Sequence, residues 1–119
     1  MPLGEDDKEQ SQKDSLKAFI DSKIKSDDVV IFSRTVCPYC DMVKNIFKEL
    51  DQKCTVIELD DRPDYKALMD VFMEMTGERT VPRVFIKGKC IGGANKTNMM
   101  YHNGLLHQKL KIKETKTDN

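Results

Sequence analysis

The spacing of hydrophobic positions changes along the first half of the chain, and each spacing predicts one element. Apolar residues first recur at helical intervals behind Asp14 or Ser15 as N-cap, at Leu16, Phe19, Ile20 and Ile24. The run VVIFS at residues 29–33 is apolar and β-branched, which is typical of a buried parallel strand. A second helical stripe follows, and CTVIEL at residues 54–59 predicts another strand. This order predicts a βαβ unit with two parallel strands.

The second half of the chain predicts a helix, a β-hairpin and a last helix. Pro63 suits the first turn of a helix that Gly77 stops, and its apolar stripe is Tyr65, Leu68, Phe72 and Met75. The short runs VFI and CI flank a turn at residues 87–89, which indicates a hairpin. Asn95 caps the last helix, and the pair at residues 103–104 weakens its middle. The predicted order is αβαβαββα, an α/β fold without internal repeats.

Charge divides the chain into a nearly neutral body and two polar ends. A length of 119 residues predicts one domain, which we place at residues 15–112. Residues 1–14 hold five acidic and two basic side chains, which predicts a disordered acidic arm, and residues 113–119 are predicted to form a flexible tail. The 20 basic and 20 acidic residues cancel, which argues against a general nucleic-acid binder.

The sequence also carries little sign of membrane insertion or secretion. No apolar run reaches the roughly 20 residues that a membrane span needs. The first residues lack the basic start and apolar stretch of a secretory signal. We therefore expect a cytoplasmic protein, in a reducing compartment where its four cysteines stay thiols.

The spacing of two cysteines is the strongest chemical signal in the chain. Cys37 and Cys40 form a CxxC motif directly after a predicted strand, and Pro38 occupies the first helical position. Cys37 is therefore predicted to be the N-cap, where a thiolate accepts hydrogen bonds from the N–H groups of Tyr39 and Cys40. Such a position lowers a thiol pKa. Cys37 is predicted to be a nucleophile, and Cys40, one turn inside the helix, a less reactive thiol that attacks a disulfide formed on Cys37.

Charged residues close to the CxxC motif also act on its thiols, and the two remaining cysteines have simpler interpretations. Arg34 and Lys44 add positive charge near it and Asp41 subtracts some, with the helix dipole and Arg34 expected to prevail. Half of a zinc site is the alternative for CxxC. Cys54 lies in a predicted buried strand, however, and His102 and His107 lie on a helix some sixty residues away, so no metal is expected. Cys54 is interpreted as a small buried hydrophobe, and Cys90 as either an inert thiol or a partly exposed one open to glutathionylation or dimerisation.

Three segments together resemble a known family. RTVCPYC, TGERTVPRVFIKGK and IGG closely resemble the dithiol glutaredoxins, over residues 16–110. The resemblance implies a thioredoxin-like fold, with a four-stranded mixed sheet flanked by helices on both faces. It also implies a glutathione-dependent oxidoreductase that reduces protein–glutathione mixed disulfides and protein disulfides. Glutathione would be a co-substrate, and an NADPH-dependent glutathione reductase would recycle it. The protein is expected to be a monomer.

The resemblance also assigns a glutathione site. A cis peptide before Pro82 would expose the Val81 backbone to the cysteinyl residue of glutathione, as an added strand. Arg34 would hold the glycine carboxylate, and the N–H groups of Ala94 and Asn95 the γ-glutamyl carboxylate. The implied glutathione-binding residues are Arg34, Tyr39, Arg79, Thr80, Val81, Pro82, Gly93, Ala94 and Asn95.

Two positions depart from the family pattern, and two other functions compete with the leading one. Lys96 stands where the family often has Asp, and Met69 stands where many members have Gln.

The first competing function is an iron–sulfur carrier, a dimer that shares a [2Fe–2S] cluster through Cys37 and glutathione. Pro38 argues against it, because relatives that bind a cluster usually have Ser or Gly there. The second is a redox-inactive binding module, for which two active-site cysteines would be unnecessary.

Overall fold

The structure is a computed structural model that describes the backbone of residues 5–111 and the side chains from residue 8 onward. Residues 1–4 and 112–119, which include the predicted tail, lie outside the described part. The elements in chain order are α1 (Glu5–Ile24), β1 (Val29–Ser33), α2 (Pro38–Glu49), β2 (Thr55–Glu58), α3 (Tyr65–Thr76), β3 (Arg83–Ile86), β4 (Lys89–Gly92), α4 (Ala94–His102) and α5 (Leu105–Leu110). None of the described helices is both long enough and apolar enough to span a bilayer.

The four strands form one mixed sheet in the order β2-β1-β3-β4. β1 pairs in parallel with β2, with Phe32 opposite Ile57, and antiparallel with β3, with Val30 opposite Phe85. β3 and β4 form the predicted antiparallel hairpin. All five residues of β1 are buried, as its continuous apolar run predicts for a central strand covered on both faces. The predicted thioredoxin-like architecture is therefore confirmed.

Alternation along the strands divides the core into two layers, one on each face of the sheet. Side chains of β1 at even positions, Val30 and Phe32, pack with α1 and α3. Side chains at odd positions, Val29 and Ile31, pack with α2, α4 and α5. The period of two residues in a strand explains this division, because neighbouring side chains point to opposite faces.

An aromatic cluster anchors α3 to the sheet, and its loss is predicted to be costly. Phe72 of α3 is fully buried, and its ring centroid lies 4.9 Å from that of Phe32. Phe72→Ala leaves a cavity that the rigid sheet cannot fill, so we expect the free energy of unfolding to fall by about 3–5 kcal/mol. Met73→Ala is the control, because the neighbouring Met73 is exposed and its loss should cost less than about 0.5 kcal/mol. Urea denaturation measures both, and equal losses would contradict this account of the core.

The first helix begins earlier than the sequence predicts. It starts at Glu5 rather than near Asp14, so residues 5–14, expected to be a disordered arm, are helical in the structure. Two contacts accompany the additional helical turns. Lys13 Nζ lies 2.9 Å from a Glu74 carboxylate oxygen on α3, and Gln10 donates to Asp14 one turn along the same helix. The first contact depends on a residue distant in sequence, which a local pattern does not reveal.

Other element boundaries also differ from the predicted ones. The final helix is two helices, because Gly104 adopts φ +83° at the weak point that the sequence marks. The N-cap of α4 is Gly93, not Asn95, and β2 begins at Thr55, one residue after Cys54. On α3, Met69 is buried while Met75 is 36% exposed, so Met75 does not belong to the core stripe.

Candidate active site

The CxxC motif lies at the start of α2, after the short loop that follows β1. Cys37 is the N-cap of α2, with extended backbone (φ −156°, ψ 103°), and Pro38 follows at the first helical position. The Cys37 sulfur accepts a hydrogen bond from the Cys40 backbone N–H, with a nitrogen–sulfur distance of 3.3 Å. The predicted N-cap position is thus confirmed, and of the two predicted donors the structure shows Cys40. All four cysteines of the chain are free thiols.

The environments of the two thiols move their pKa values in opposite directions. Burial by itself raises the pKa of Cys37, which is only 5% exposed. Hydrogen bonds from the Cys40 side chain and backbone, and then the Arg34 guanidinium, outweigh burial and hold the pKa of Cys37 below that of a free thiol. Burial and the neighbouring Cys37 raise the pKa of Cys40. Cys37 is therefore the thiol that ionises first, and Cys40 keeps its proton.

Hydrogen bonds hold the loop between β1 and Cys37 in place. The Thr35 hydroxyl donates to an Asp60 carboxylate oxygen at 2.6 Å, and the Thr35 backbone N–H reaches the same carboxylate. These bonds lower the pKa of Asp60. The loop that carries Arg34 is therefore tied to the segment after β2.

The other cation predicted to act on the CxxC motif, Lys44, is paired elsewhere. Its Nζ atom lies 2.9 Å from a carboxylate oxygen of Glu58, so much of its positive charge is neutralised there.

We predict that removing the Arg34 charge weakens the ionisation of Cys37. Arg34→Met eliminates a cation that favours the thiolate, so the pKa of Cys37 should rise. The rate of Cys37 alkylation by iodoacetamide, followed against pH by mass spectrometry, measures this change. Arg34→Lys keeps the charge and serves as the control. An unchanged midpoint in Arg34→Met would show that the α2 N-terminus and Cys40 alone lower this pKa.

A surface groove of about 790 Å³ has Tyr39, two residues after Cys37, among its lining residues. The Val81–Pro82 peptide bond is cis, as the resemblance implies. The groove is lined by seven of the nine residues predicted to bind glutathione, namely Tyr39, Thr80, Val81, Pro82, Gly93, Ala94 and Asn95. The structure therefore brings together segments that are more than 50 residues apart in sequence.

The other two predicted residues lie outside this lining. Arg34 is beside the Cys37 thiol, where it acts on the pKa of that group. Arg79 Nε donates to an Asp70 carboxylate oxygen on α3 at 2.9 Å, and the Arg79 side chain is half exposed. Its chain neighbours Glu78 and Thr80 both line the groove, so the place of Arg79 at the border of the glutathione site stays a prediction.

Sequence reasoning missed one prominent residue of the groove. Arg83, the first residue of β3, lines the groove and is only 4% exposed. A signal was available, since Arg83 follows Pro82 inside a run whose other members are apolar, where a charge is unusual. Cys90 and Lys96 also line the groove. Among the described side chains, those of residues 8–111, no three histidine, cysteine or acidic groups lie closely enough together to hold a metal ion.

Comparison with known proteins agrees with this geometry. The Glutaredoxin family model matches residues 29–91, which span β1 to β4 and include both the CxxC motif and the cis-proline. The chain belongs to the glutaredoxin family. Its fold and its Cys37–Cys40 pair are those of a thiol–disulfide oxidoreductase.

Individual glutaredoxins cover most of the chain. Glutaredoxin-C8 of Oryza sativa subsp. japonica is 45% identical over 100 residues, which are 82% of this chain and 74% of the relative. Glutaredoxin of Vernicia fordii is 48% identical over 83 residues, 70% of this chain and 80% of the relative. A crystal structure of a buckwheat glutaredoxin–glutathione complex has a TM-score of 0.81 and 36% identity, and the match covers 85% of this chain and 92% of the other.

Proposed function

We propose that this glutaredoxin is a glutathione-dependent oxidoreductase that reduces protein–glutathione mixed disulfides and protein disulfides. The observation that carries the proposal is the asymmetry between the two thiols at the start of α2. Cys37 is the N-cap with a lowered pKa, and Cys40 is fully buried with a raised one. This arrangement supplies one nucleophile, Cys37, and one resolving thiol, Cys40, that stays protonated until it attacks a disulfide formed on Cys37.

Reduction of a glutathionylated protein needs only Cys37. Its thiolate attacks the glutathione sulfur of the mixed disulfide, the old S–S bond breaks, and the protein leaves as a thiolate that takes a proton from water. Cys37 is then joined to glutathione. A second glutathione thiolate attacks this glutathione sulfur, which releases oxidised glutathione and restores the Cys37 thiolate. Overall, the mixed disulfide and one glutathione thiol give one protein thiol and one oxidised glutathione, so one glutathione sulfur is oxidised as the protein sulfur is reduced.

Reduction of a protein disulfide uses both cysteines. Cys37 attacks one substrate sulfur, forms a mixed disulfide and releases the other substrate sulfur as a thiolate. Cys40 then loses its proton and attacks the Cys37 sulfur, which frees the substrate as a dithiol and closes a Cys37–Cys40 disulfide. Two glutathione molecules reduce that disulfide. The hydrogen bond between the Cys40 backbone and the Cys37 sulfur already places the two residues in one helical turn.

The groove supports glutathione as the co-substrate. Glutathione is a tripeptide with a carboxylate at each end, and the buckwheat relative was crystallised as a glutathione complex. In this chain Arg34 would hold the glycine carboxylate, the Val81 backbone would pair with the cysteinyl residue, and the start of α4 would face the γ-glutamyl carboxylate. The further partners that we propose are an NADPH-dependent glutathione reductase and thiol proteins of a reducing compartment such as the cytoplasm, with the protein acting as a monomer.

A turnover assay tests the proposed function. Reduced protein, glutathione and a small glutathione mixed disulfide are incubated with glutathione reductase, and oxidation of NADPH is followed. We expect protein-dependent turnover, and a folded, reduced sample that shows none would refute the proposal. Replacing glutathione and its reductase by thioredoxin reductase should abolish turnover. Visible absorbance of protein purified anaerobically tests the iron–sulfur carrier, the alternative that the sequence leaves open.

A further inference from the structure

Arg83 is a buried cation in the groove without an acidic partner. Its side chain is only 4% exposed, and no ion pair involves it among the residues that the structure describes. One terminal nitrogen donates to the Thr80 hydroxyl at 3.3 Å, and the buried Nε has no hydrogen-bond partner. Burying a charge without an opposite charge is costly, so a groove that keeps Arg83 needs an anion from elsewhere.

The guanidinium of Arg83 reaches the groove beneath the first residues of α4. A Cβ atom placed on Gly93 would lie 2.7 Å from a terminal nitrogen of Arg83 and 3.3 Å from the Pro82 carbonyl oxygen. Gly93 has a negative φ of −110°, so the close approach of Arg83, and not backbone conformation, explains why a glycine suits this position. Because Gly93 has no side chain, only its backbone lies between the Arg83 guanidinium and the first turn of α4.

The first turn of α4 is itself without a counter-charge. Its N-cap is Gly93, which has no side chain to accept from the free N–H groups, and the turn holds no acidic residue. Lys96 adds a further cation to the groove, and Glu78, on the α3–β3 connection, is the acidic residue among the described lining. The positive end of a helix and a buried guanidinium therefore converge on one end of the groove.

We propose that Arg83 is the buried counter-charge for the γ-glutamyl carboxylate of glutathione, a binding role beyond those assigned to the start of α4. The inference rests on the proposed function, because it takes glutathione as the ligand. The carboxylate would supply the anion that the described residues do not provide, and Arg83 would strengthen its binding through short-range attraction in a partly buried site. Since the exposed charge of Lys96 is screened by solvent, Arg83 is expected to contribute more.

The binding affinity for S-methylglutathione, measured by calorimetry, tests this proposal. The thiol of this ligand is blocked, so no turnover takes place. We expect Arg83→Met to weaken binding by roughly ten- to a hundred-fold, the effect of losing a hydrogen bond to a charged group. The same ligand with its γ-glutamyl α-carboxylate converted to the amide should bind wild type and Arg83→Met about equally. Equal weakening for both ligands, no weakening for either, or no binding by wild type would overturn the proposal.

Two further variants separate binding from a structural role. Arg83→Lys keeps the charge and should recover part of the lost affinity. Lys48→Met removes the same unit charge from an exposed position on α2, outside the groove, and should bind like wild type. Without ligand, the Tm of Arg83→Met should equal or exceed that of wild type, because an unpaired buried charge is removed. A large fall in Tm would mean that Arg83 supports the fold instead. Glutathione binding without catalytic turnover would refute the proposed function but leave this inference intact.

Discussion

The Cys37→Ser variant is expected to reduce glutathionylated substrates no faster than the uncatalysed reaction, a loss of roughly three orders of magnitude or more. The serine hydroxyl does not ionise near neutral pH, so the lowered pKa that makes Cys37 reactive has no counterpart in the variant. The groove and the fold should remain, since a serine oxygen can also act as N-cap and accept from the Cys40 N–H.

The measurement is the glutathione-coupled assay with wild type and variant at equal concentration. An unchanged Tm is the control that the loss is chemical and not a loss of folded protein. Incubation with oxidised glutathione followed by mass spectrometry adds a direct test, because wild type should gain a glutathionyl group on Cys37. Substantial remaining turnover, or a glutathionyl group mainly on Cys54 or Cys90, would show that Cys37 is not the nucleophile.

The Cys40→Ser variant is expected to separate the two reactions. It should keep most of the rate of deglutathionylation, which needs Cys37 and a second glutathione. It should lose reduction of protein disulfides, because no internal thiol remains to release the substrate. Serine is preferred to alanine, since its hydroxyl can replace the side-chain hydrogen bond that lowers the pKa of Cys37. The backbone donor is unaffected.

Two substrates measured side by side provide the test of this separation. One is a peptide carrying glutathione as a mixed disulfide, and the other is a protein with a single disulfide. In the second reaction the variant should accumulate a covalent complex between Cys37 and the substrate, visible on a non-reducing gel. Equal losses of both reactions would contradict the division of roles between Cys37 and Cys40.

The reactive end of the molecule was predictable because its determinants are local. A buried β-branched strand, a short loop and a proline at the first helical position are all visible in residues 29–40, and together they place Cys37 at an N-cap. The hydrophobic patterns likewise predicted the order of the elements, and the resemblance implied the four-stranded mixed sheet. Helix ends were less predictable. Residues 5–14 hold no apolar residue that could mark a helical stripe, and one contact of this segment, Lys13 with Glu74, joins residues some 60 positions apart.

The groove, in contrast, is formed by segments that are far apart in the sequence. Resemblance suggested nine glutathione-binding residues, of which seven line the groove, and Arg79 is paired with Asp70. The buried Arg83, which was not among the nine, also lines the groove. Lysine or arginine in a strand is usually read as an exposed residue, because burial of an unpaired charge is costly. Only packing beneath Gly93 shows where the guanidinium lies.

By itself, the sequence determined the class of fold, the family and the pair of thiols that carries the chemistry, because periodicity and short motifs are properties of neighbouring residues. The tertiary structure alone decided which charges act on that chemistry. Lys44 is paired with Glu58, Arg34 remains beside the Cys37 sulfur, and Arg83 lies buried without an acidic partner among the described residues. Electrostatic effects depend on distance and burial, and folding sets both by joining segments that the chain keeps far apart.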